Sequence, residues 1–199
     1  MEKNAKYFRE AAWAQLTGHW KPAVLISLVY ILVIGGMEGA KALSFLSIFI
    51  YGPLLYGYNV AFLNFERTGE DVRIENLLDG FKDYGRVFLT NLLQNIYIVL
   101  WTLLLIVPGI IKSISYSQTF YVLKDNPELK NNAAIERSMA MMEGHKMEYF
   151  CLMLSFIGWI LLSVLTLGIG LLWVSPYMDT AMAHFYEYVK GDYERRIGA

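Results

Sequence analysis

The fold is decided by the stretch from Tyr149 to Met178, YFCLMLSFIGWILLSVLTLGIGLLWVSPYM, which has 30 residues and contains no Asp, Glu, Lys or Arg. A helix rises about 1.5 Å per residue, so roughly 20 apolar residues cross the hydrocarbon core of a bilayer. The stretch is therefore too long for one crossing. Gly168 and Gly170 favour a turn inside it. We predict two spans here, near 148–167 and 171–190.

Three further uncharged runs lie upstream of this stretch. They are Pro22–Met37, Ala42–Phe65 and Val87–Ile111, with 16, 24 and 25 residues. Pro108 and Gly109 interrupt the third run and begin another span, which carries one charge at Lys112. The sequence thus predicts an all-α membrane protein, a single polytopic domain over residues 1–199 with six transmembrane helices in three hairpins: 20–39, 43–66, 86–107, 109–124, 148–167 and 171–190.

The composition favours a membrane protein and excludes several other classes. Hydrophobic residues make up 56% of the chain and charged residues 18%, against about 25% charged residues in soluble domains. The 17 basic and 18 acidic residues nearly balance, so no basic excess indicates nucleic acid as a partner. The 5 Trp, 14 Tyr and 11 Phe exclude a disordered chain.

The distribution of basic residues predicts an orientation. All but two of the 17, Lys41 and Lys112, fall before the first span, between the second and third, between the fourth and fifth, or after the sixth. Cytoplasmic loops are enriched in Lys and Arg, so both termini are expected in the cytoplasm, with the chain in a plasma membrane. The alternative for the N-terminal part is a cleaved signal peptide, because Ala40-Lys41-Ala42 resembles a cleavage site.

Each basic-rich segment that enters an odd-numbered span has apolar residues at helical spacing. The predicted cytoplasmic-side amphipathic helices cover about 2–17, 71–83 and 127–143, the last capped by Asn126 with Pro127 in its first turn. Such helices lie on the inner membrane interface or pack against the bundle. Their apolar stripes are Ala5, Phe8, Ala12 and Leu16; Ile74, Leu77, Leu78 and Phe81; and Ile135, Met139 and Met142.

Short motifs over nearly the whole chain carry a family resemblance. They are Gly18-His19-Trp20-Lys21, Tyr51-Gly52-Pro53-Leu54, the run from Trp101 to Lys112, Asp125-Asn126-Pro127, and Gly144-His145-Lys146 followed by the run from Leu167 to Trp173. With these motifs the chain resembles the bacterial domain-of-unknown-function 975 membrane family. That family is similar in helical plan to the membrane portion of certain glycerophosphodiester phosphodiesterases. The resemblance implies a membrane architecture, but it implies no activity and no functional residue.

The sequence indicates neither a metal site nor a catalytic motif. Cys151 is the only cysteine and is expected to pack within an apolar run, while His19, His145 and His184 are far apart in sequence. The serines lack a nearby His and acid in a recognisable pattern, and no glycine-rich loop precedes a phosphate-binding Lys. We therefore expect no metal, no cofactor and no enzymatic activity, although a helical bundle can also assemble a site from distant residues.

Polar residues inside the predicted spans form the candidate site. Lys112 lies four residues after Pro108 and Asp179 three residues after Pro176, so equivalent hairpins would place both charges at matching depth near the outer surface. A charge in hydrocarbon is costly unless it pairs, meets water or reaches the surface. We predict an ion pair or solute site at Lys112 and Asp179, with Tyr116 and Gln118 nearby. The alternative is that Lys112 extends outward and Asp179 meets local water.

Two functions fit these features. The first is a non-catalytic membrane component that binds membrane lipids or other membrane proteins, in an oligomeric state that the sequence leaves open. The second is a small-solute or lipid transporter that uses the region of Lys112 and Asp179. A water-accessible cavity that reaches both residues would favour transport, and a closed, dry bundle would favour the first function.

Overall fold

The computed structural model describes residues 3–39 and 44–198, and the regular elements within those ranges are all helical. This confirms the predicted all-α class. The helices are α1 (Ala5–Leu16), α2 (Trp20–Gly39), α3 (Ser44–Thr68), a 3₁₀ helix (Ile74–Leu78), α4 (Asp79–Lys82), α5 (Tyr84–Leu104), α6 (Ile106–Tyr116), α7 (Thr119–Asp125), α8 (Asn132–Met141), α9 (Lys146–Leu154), α10 (Ile157–Leu165) and α11 (Leu171–Ile197). The possible cleavage site at residues 40–42 lies outside the described residues.

Three segments are long and apolar enough to cross a membrane: Trp20–Met37, Tyr84–Leu104 and Lys146–Leu165. Helix length and composition therefore support three candidate spans among the described residues and do not support the six predicted ones. The predicted span 109–124 is interrupted between α6 and α7. At this break Ser117 Oγ donates a hydrogen bond to the carbonyl of Ile114, a local bond that competes with continuation of the helix.

The apolar residues of the candidate spans face outward. In each of the three segments only 17% of the residues are buried inside the protein. The tips are the most exposed, since Leu103 is 78% exposed, Leu165 79% and Leu167 94%. A soluble protein rarely leaves apolar surface of this extent in contact with water, so this surface is suited to lipid.

Of the two tight connections at these tips, the sequence predicted the position of one correctly and misplaced the other. The turn between α10 and α11 occurs where the glycines predicted it, with Gly168 at a positive φ of 86°. The break between α5 and α6 occurs at Leu105, in extended conformation, and not at Pro108 as predicted. Pro108 instead lies in the first turn of α6, where its missing N–H leaves no helical bond unmade.

Aromatic pairs within the buried core join α1 and α7 to α11. Phe8 of α1 contacts Phe185 of α11 edge to face, with ring centroids 5.3 Å apart. Tyr121 of α7 stacks on Tyr186 of α11 at 5.0 Å, and both rings are buried. Aromatic pairs in these geometries are favourable beyond their buried area, so the core fixes how α11 packs against the other helices.

The amphipathic predictions have mixed outcomes. In α1 the predicted residues Phe8, Ala12 and Leu16 are fully buried. The predicted helix 71–83 is instead a 3₁₀ helix followed by the single turn of α4; Leu77 is buried there, whereas Ile74 and Leu78 are exposed. The predicted helix 127–143 begins only at Asn132, in α8.

Close backbone contacts with α3 explain the short helices between α3 and α5. A Cβ atom on Gly80 would lie 2.0 Å from the carbonyl oxygen of Pro53, and one on Gly57 would lie 2.4 Å from that of Leu77. Only glycine permits such approaches. This connection is therefore held against α3 by close backbone packing as well as by the buried side chain of Leu77.

Candidate functional site

Lys112 lies in α6, on the α5–α6 hairpin, and forms no ion pair with a carboxylate of residues 3–39 or 44–198. Its Nζ atom lies 5.1 Å from the ring centroid of Trp101, a cation–π distance. The hairpin is tight, since a Cβ atom on Gly109 would lie 2.3 Å from Thr102 Oγ1. The ring of Trp101 thus provides the local contact for this ammonium group.

Asp179 lies on α11 and is partly buried. Its carboxyl group has the hydroxyl of Tyr58 as hydrogen-bond partner. That hydroxyl lies 2.8 Å from Ser27 Oγ, and the ring of Tyr58 stacks on Tyr30 at 4.6 Å. Asp179 therefore belongs to a polar cluster of α2, α3 and α11.

The predicted direct ion pair between Lys112 and Asp179 is not formed in the structure. The similar spacing of Lys112 and Asp179 from a preceding proline predicts the same depth in the membrane only if the two hairpins are equivalent. They are not, because the Lys112 hairpin packs α5 against α6 whereas Asp179 faces α3.

Tyr116 and Gln118 are buried at the break between α6 and α7, with Gln118 only 1% exposed. The backbone N–H of Gln118 donates to Ser138 Oγ at 3.2 Å, and Ser138 Oγ donates to the carbonyl of Ser115 at 2.8 Å. These bonds attach α8 to the break. The polar residues of this region thus join helices, and the structure does not gather all four predicted residues into one site.

A charge cluster that the sequence analysis missed is centred on Asp125, the last residue of α7. Arg67 donates from both terminal guanidinium nitrogens to the two carboxylate oxygens of Asp125, at 2.7 Å each. Lys190 Nζ and the hydroxyl of Tyr186, both on α11, also donate to Asp125, at 2.7 and 2.8 Å. Arg67 makes a further ion pair with Glu187 at 2.5 Å. One carboxylate therefore connects α3, α7 and α11.

The electrostatics of this cluster favour the charged forms. Burial by itself would raise the pKa of Asp125, but the hydrogen bonds from Arg67, Lys190 and Tyr186 outweigh it and hold that pKa at about 2. The same bonds with Asp125 raise the pKa of Arg67. Asp125 and Arg67 are therefore both charged at neutral pH, and their contacts hold the three helices together.

Three further arginines bind carbonyl groups at helix C-termini, where the helix dipole favours a cation. Arg86 Nη1 donates to the carbonyls of Leu123, Asn126 and Leu129 around the end of α7. Arg196 donates to the carbonyls of Ala140, Met141 and Glu143 at the end of α8. Arg9 donates to that of Ser155 after α9. The basic residues that predicted the orientation therefore also hold the helices together.

The histidines pair with carboxylates. His19 lies 2.5 Å from Asp71, His184 lies 3.2 Å from Glu66, and His145 contacts both Glu148 and Asp192. Among the residues that the structure describes, no group of three or more His, Cys, Asp or Glu could hold a metal ion. Cys151, expected to be packed, is exposed, because α9 turns that face away from the core.

Two adjoining cavities lie along α2 and α11, and together we call them the tryptophan cleft. The first has a volume of about 310 Å³ and the second about 320 Å³. Trp20 and Trp173 line both of them. The other lining residues are Trp13, Trp159, Val174 and Tyr177 in the first, and Lys21, Val24, Leu25 and Leu28 in the second.

These features define a class: an all-α protein with three helical segments suited to a membrane and with internal charges that serve helix packing. The family model described as "Protein of unknown function (DUF975)" matches residues 1–115 and 103–192, and the chain belongs to that family. No curated protein and no solved structure matches the chain significantly. The similarity to the membrane portion of glycerophosphodiester phosphodiesterases stays a prediction.

Proposed function

We propose that this chain is a multi-pass protein of the bacterial plasma membrane that binds membrane lipids or other membrane proteins and catalyses no reaction. The observation that carries the proposal is the outward-facing apolar surface of the candidate spans, of which 17% of residues are buried. Removal of apolar surface from water is favourable by about 25 cal/mol per Å². These segments are therefore more stable in contact with hydrocarbon or with apolar partners than in water.

Within this proposal the chain crosses the membrane six times, with both termini in the cytoplasm. The charge cluster supports this topology because it joins the ends of three predicted returning spans. Arg67 follows the second span, Asp125 the fourth, and Lys190 ends the sixth. Three helices that return to the same side would bring these residues together. The short α6 is then extended across the bilayer by α7, beyond the break at Ser117 and Gln118.

Accessibility of single cysteines in intact cells tests the topology. Cys151 is first replaced by Ala, and cysteine is then introduced at Asn76, Asn132 or Ile169. An impermeant thiol reagent should label Ile169→Cys, in the predicted outer turn, and should label Asn76→Cys and Asn132→Cys only after the cells are opened. Labelling of either asparagine position from outside would reject the six-span topology.

Native purification tests the binding role. Mass spectrometry of the protein extracted with its lipids should detect bound phospholipids or a membrane partner at a reproducible stoichiometry. Transport through Lys112 and Asp179 is not favoured by a comparable observation, since five cavities of about 300–440 Å³ in the described part of the chain are lined by other residues. Extraction without any bound lipid or protein would contradict the binding role.

A further inference from the structure

The tryptophan cleft combines an apolar lining with a cation at one end. Four of the five tryptophans of the chain line it. Of these, Trp13, Trp159 and Trp173 are each about half exposed, so they form the walls of an open cleft and not a closed core. Tryptophan is common at membrane interfaces in general, but concentration of this kind in one cleft marks a particular place on the surface.

The order of residues along the cleft matches the order of groups in an amphiphile. Lys21 stands at one end, and Val24, Leu25 and Leu28 follow on the same side of α2 at intervals of about one turn. Lys21 and Leu28 are therefore about 10 Å apart along the helix axis. The side chain of Lys21 is exposed and forms no ion pair within the described residues. A charged headgroup beside Lys21 would place its acyl chain along the apolar residues.

We propose that the tryptophan cleft binds the acyl chains of an anionic phospholipid, with its phosphate beside Lys21. This inference rests on the proposed membrane function and names the class of lipid. The two adjoining cavities give room for the two chains of a diacyl lipid, and each has a volume at the lower end of the roughly 300–1,000 Å³ found for small-molecule sites.

Quenching of tryptophan fluorescence by brominated lipids tests the inference. The background variant Trp101→Phe removes the only tryptophan outside the cleft. The protein is reconstituted in phosphatidylcholine vesicles that contain a minor fraction of either brominated phosphatidylglycerol or brominated phosphatidylcholine. Preference for the anionic lipid at one lysine should give about a fivefold lower concentration for half-maximal quenching.

The position of the charge is tested by three variants in this background. Lys21→Gln should abolish the preference for the anionic lipid, and Lys21→Arg should retain it. Lys130→Gln is the matched control, because Lys130 is an exposed lysine that does not line the cleft, and it should leave the preference unchanged. All variants should have the same thermal midpoint, since both lysines are exposed.

The outcomes separate this inference from the proposed function. Equal quenching by the two brominated lipids, or equal effects of Lys21→Gln and Lys130→Gln, would reject the anionic lipid site but leave the membrane location standing. Quenching by neither lipid would contradict both. A co-purified protein that protects the cleft tryptophans from every brominated lipid would assign the cleft to a protein partner and overturn the lipid site.

Discussion

Arg67 donates two parallel hydrogen bonds of 2.7 Å to the carboxylate of Asp125, and this contact ties the last turn of α3 to the last residue of α7. Bidentate pairs of this kind are stronger and more directional than single contacts between charges. Lys190 of α11 binds the same carboxylate at 2.7 Å. Because three helices depend on one acidic side chain that is only 11% exposed, Asp125 should be the most sensitive charged position in the chain.

Replacing Asp125 by Asn should destabilise the protein by about 2–3 kcal/mol. The change leaves Arg67 and Lys190 without their shared anion, and removing one partner from a fully buried pair costs about 3–5 kcal/mol. The lower value reflects the 30% exposure of both cations, which water can partly solvate. Thermal unfolding in detergent measures the effect. Glu10→Gln is the control, because its pair with Lys6 is exposed and should contribute nothing measurable.

The contribution of Asp125 should also depend on pH in a defined direction. Its pKa is about 2 in the folded protein, below the ordinary value of 3.8, so the folded state binds this proton more weakly than the unfolded state. The stabilisation is therefore complete well above 3.8 and is lost as the pH falls towards 2. The difference in unfolding free energy between the wild type and Asp125→Asn should be constant from neutral pH to about pH 5 and shrink below it. A difference that does not change between pH 5 and pH 2 would contradict the assignment.

The sequence could predict the helical class because uncharged runs longer than one bilayer crossing have few structural alternatives. It could also locate the buried face of α1, since Phe8, Ala12 and Leu16 repeat with the helical period. These features depend on residues close together along the chain.

The Asp125 cluster could not be predicted in this way. Arg67 is 58 residues from Asp125, and Lys190 is 65 residues from it. Each of these charged residues follows an apolar segment, and this position is a signal that the sequence contains. Charged residues that are exposed to solvent occupy similar positions, however, so the signal does not distinguish the two cases. The converse applies to Lys112 and Asp179. The local sequence is similar around Pro108 and Pro176, but the packing is not equivalent, and the two charges contact different residues, Trp101 and Tyr58.

Backbone packing between α3 and the following connection predicts that two glycines resist substitution. Gly80→Ala and Gly57→Ala would place a methyl group 2.0 and 2.4 Å from backbone carbonyl oxygens, which cannot move as a flexible side chain would. Each change should cost about 1–3 kcal/mol or more and should increase proteolysis of the segment around Leu77.

The matched control for these glycines is Gly158→Ala. Gly158 lies in α10, and a Cβ atom there would have no neighbour within 4 Å. Alanine is the better helix former, so this change should be neutral or stabilise the protein by up to about 1 kcal/mol. Equal losses at Gly57, Gly80 and Gly158 would show that chain stiffness, and not the contact with α3, determines the effect.

Lys112 and Asp179 should behave as independent positions. Lys112 contacts the ring of Trp101, and Asp179 contacts Tyr58, so neither group is the electrostatic partner of the other. In a double-mutant cycle with Lys112→Met and Asp179→Asn, the two changes in unfolding free energy should add to within about 0.5 kcal/mol. Trp101→Leu should weaken the effect of Lys112→Met, and Tyr58→Phe should do the same for Asp179→Asn, because each removes the contact that the charge makes. Recovery of stability in the Lys112→Met/Asp179→Asn double variant would instead demonstrate coupling between the two charges and restore the ion pair.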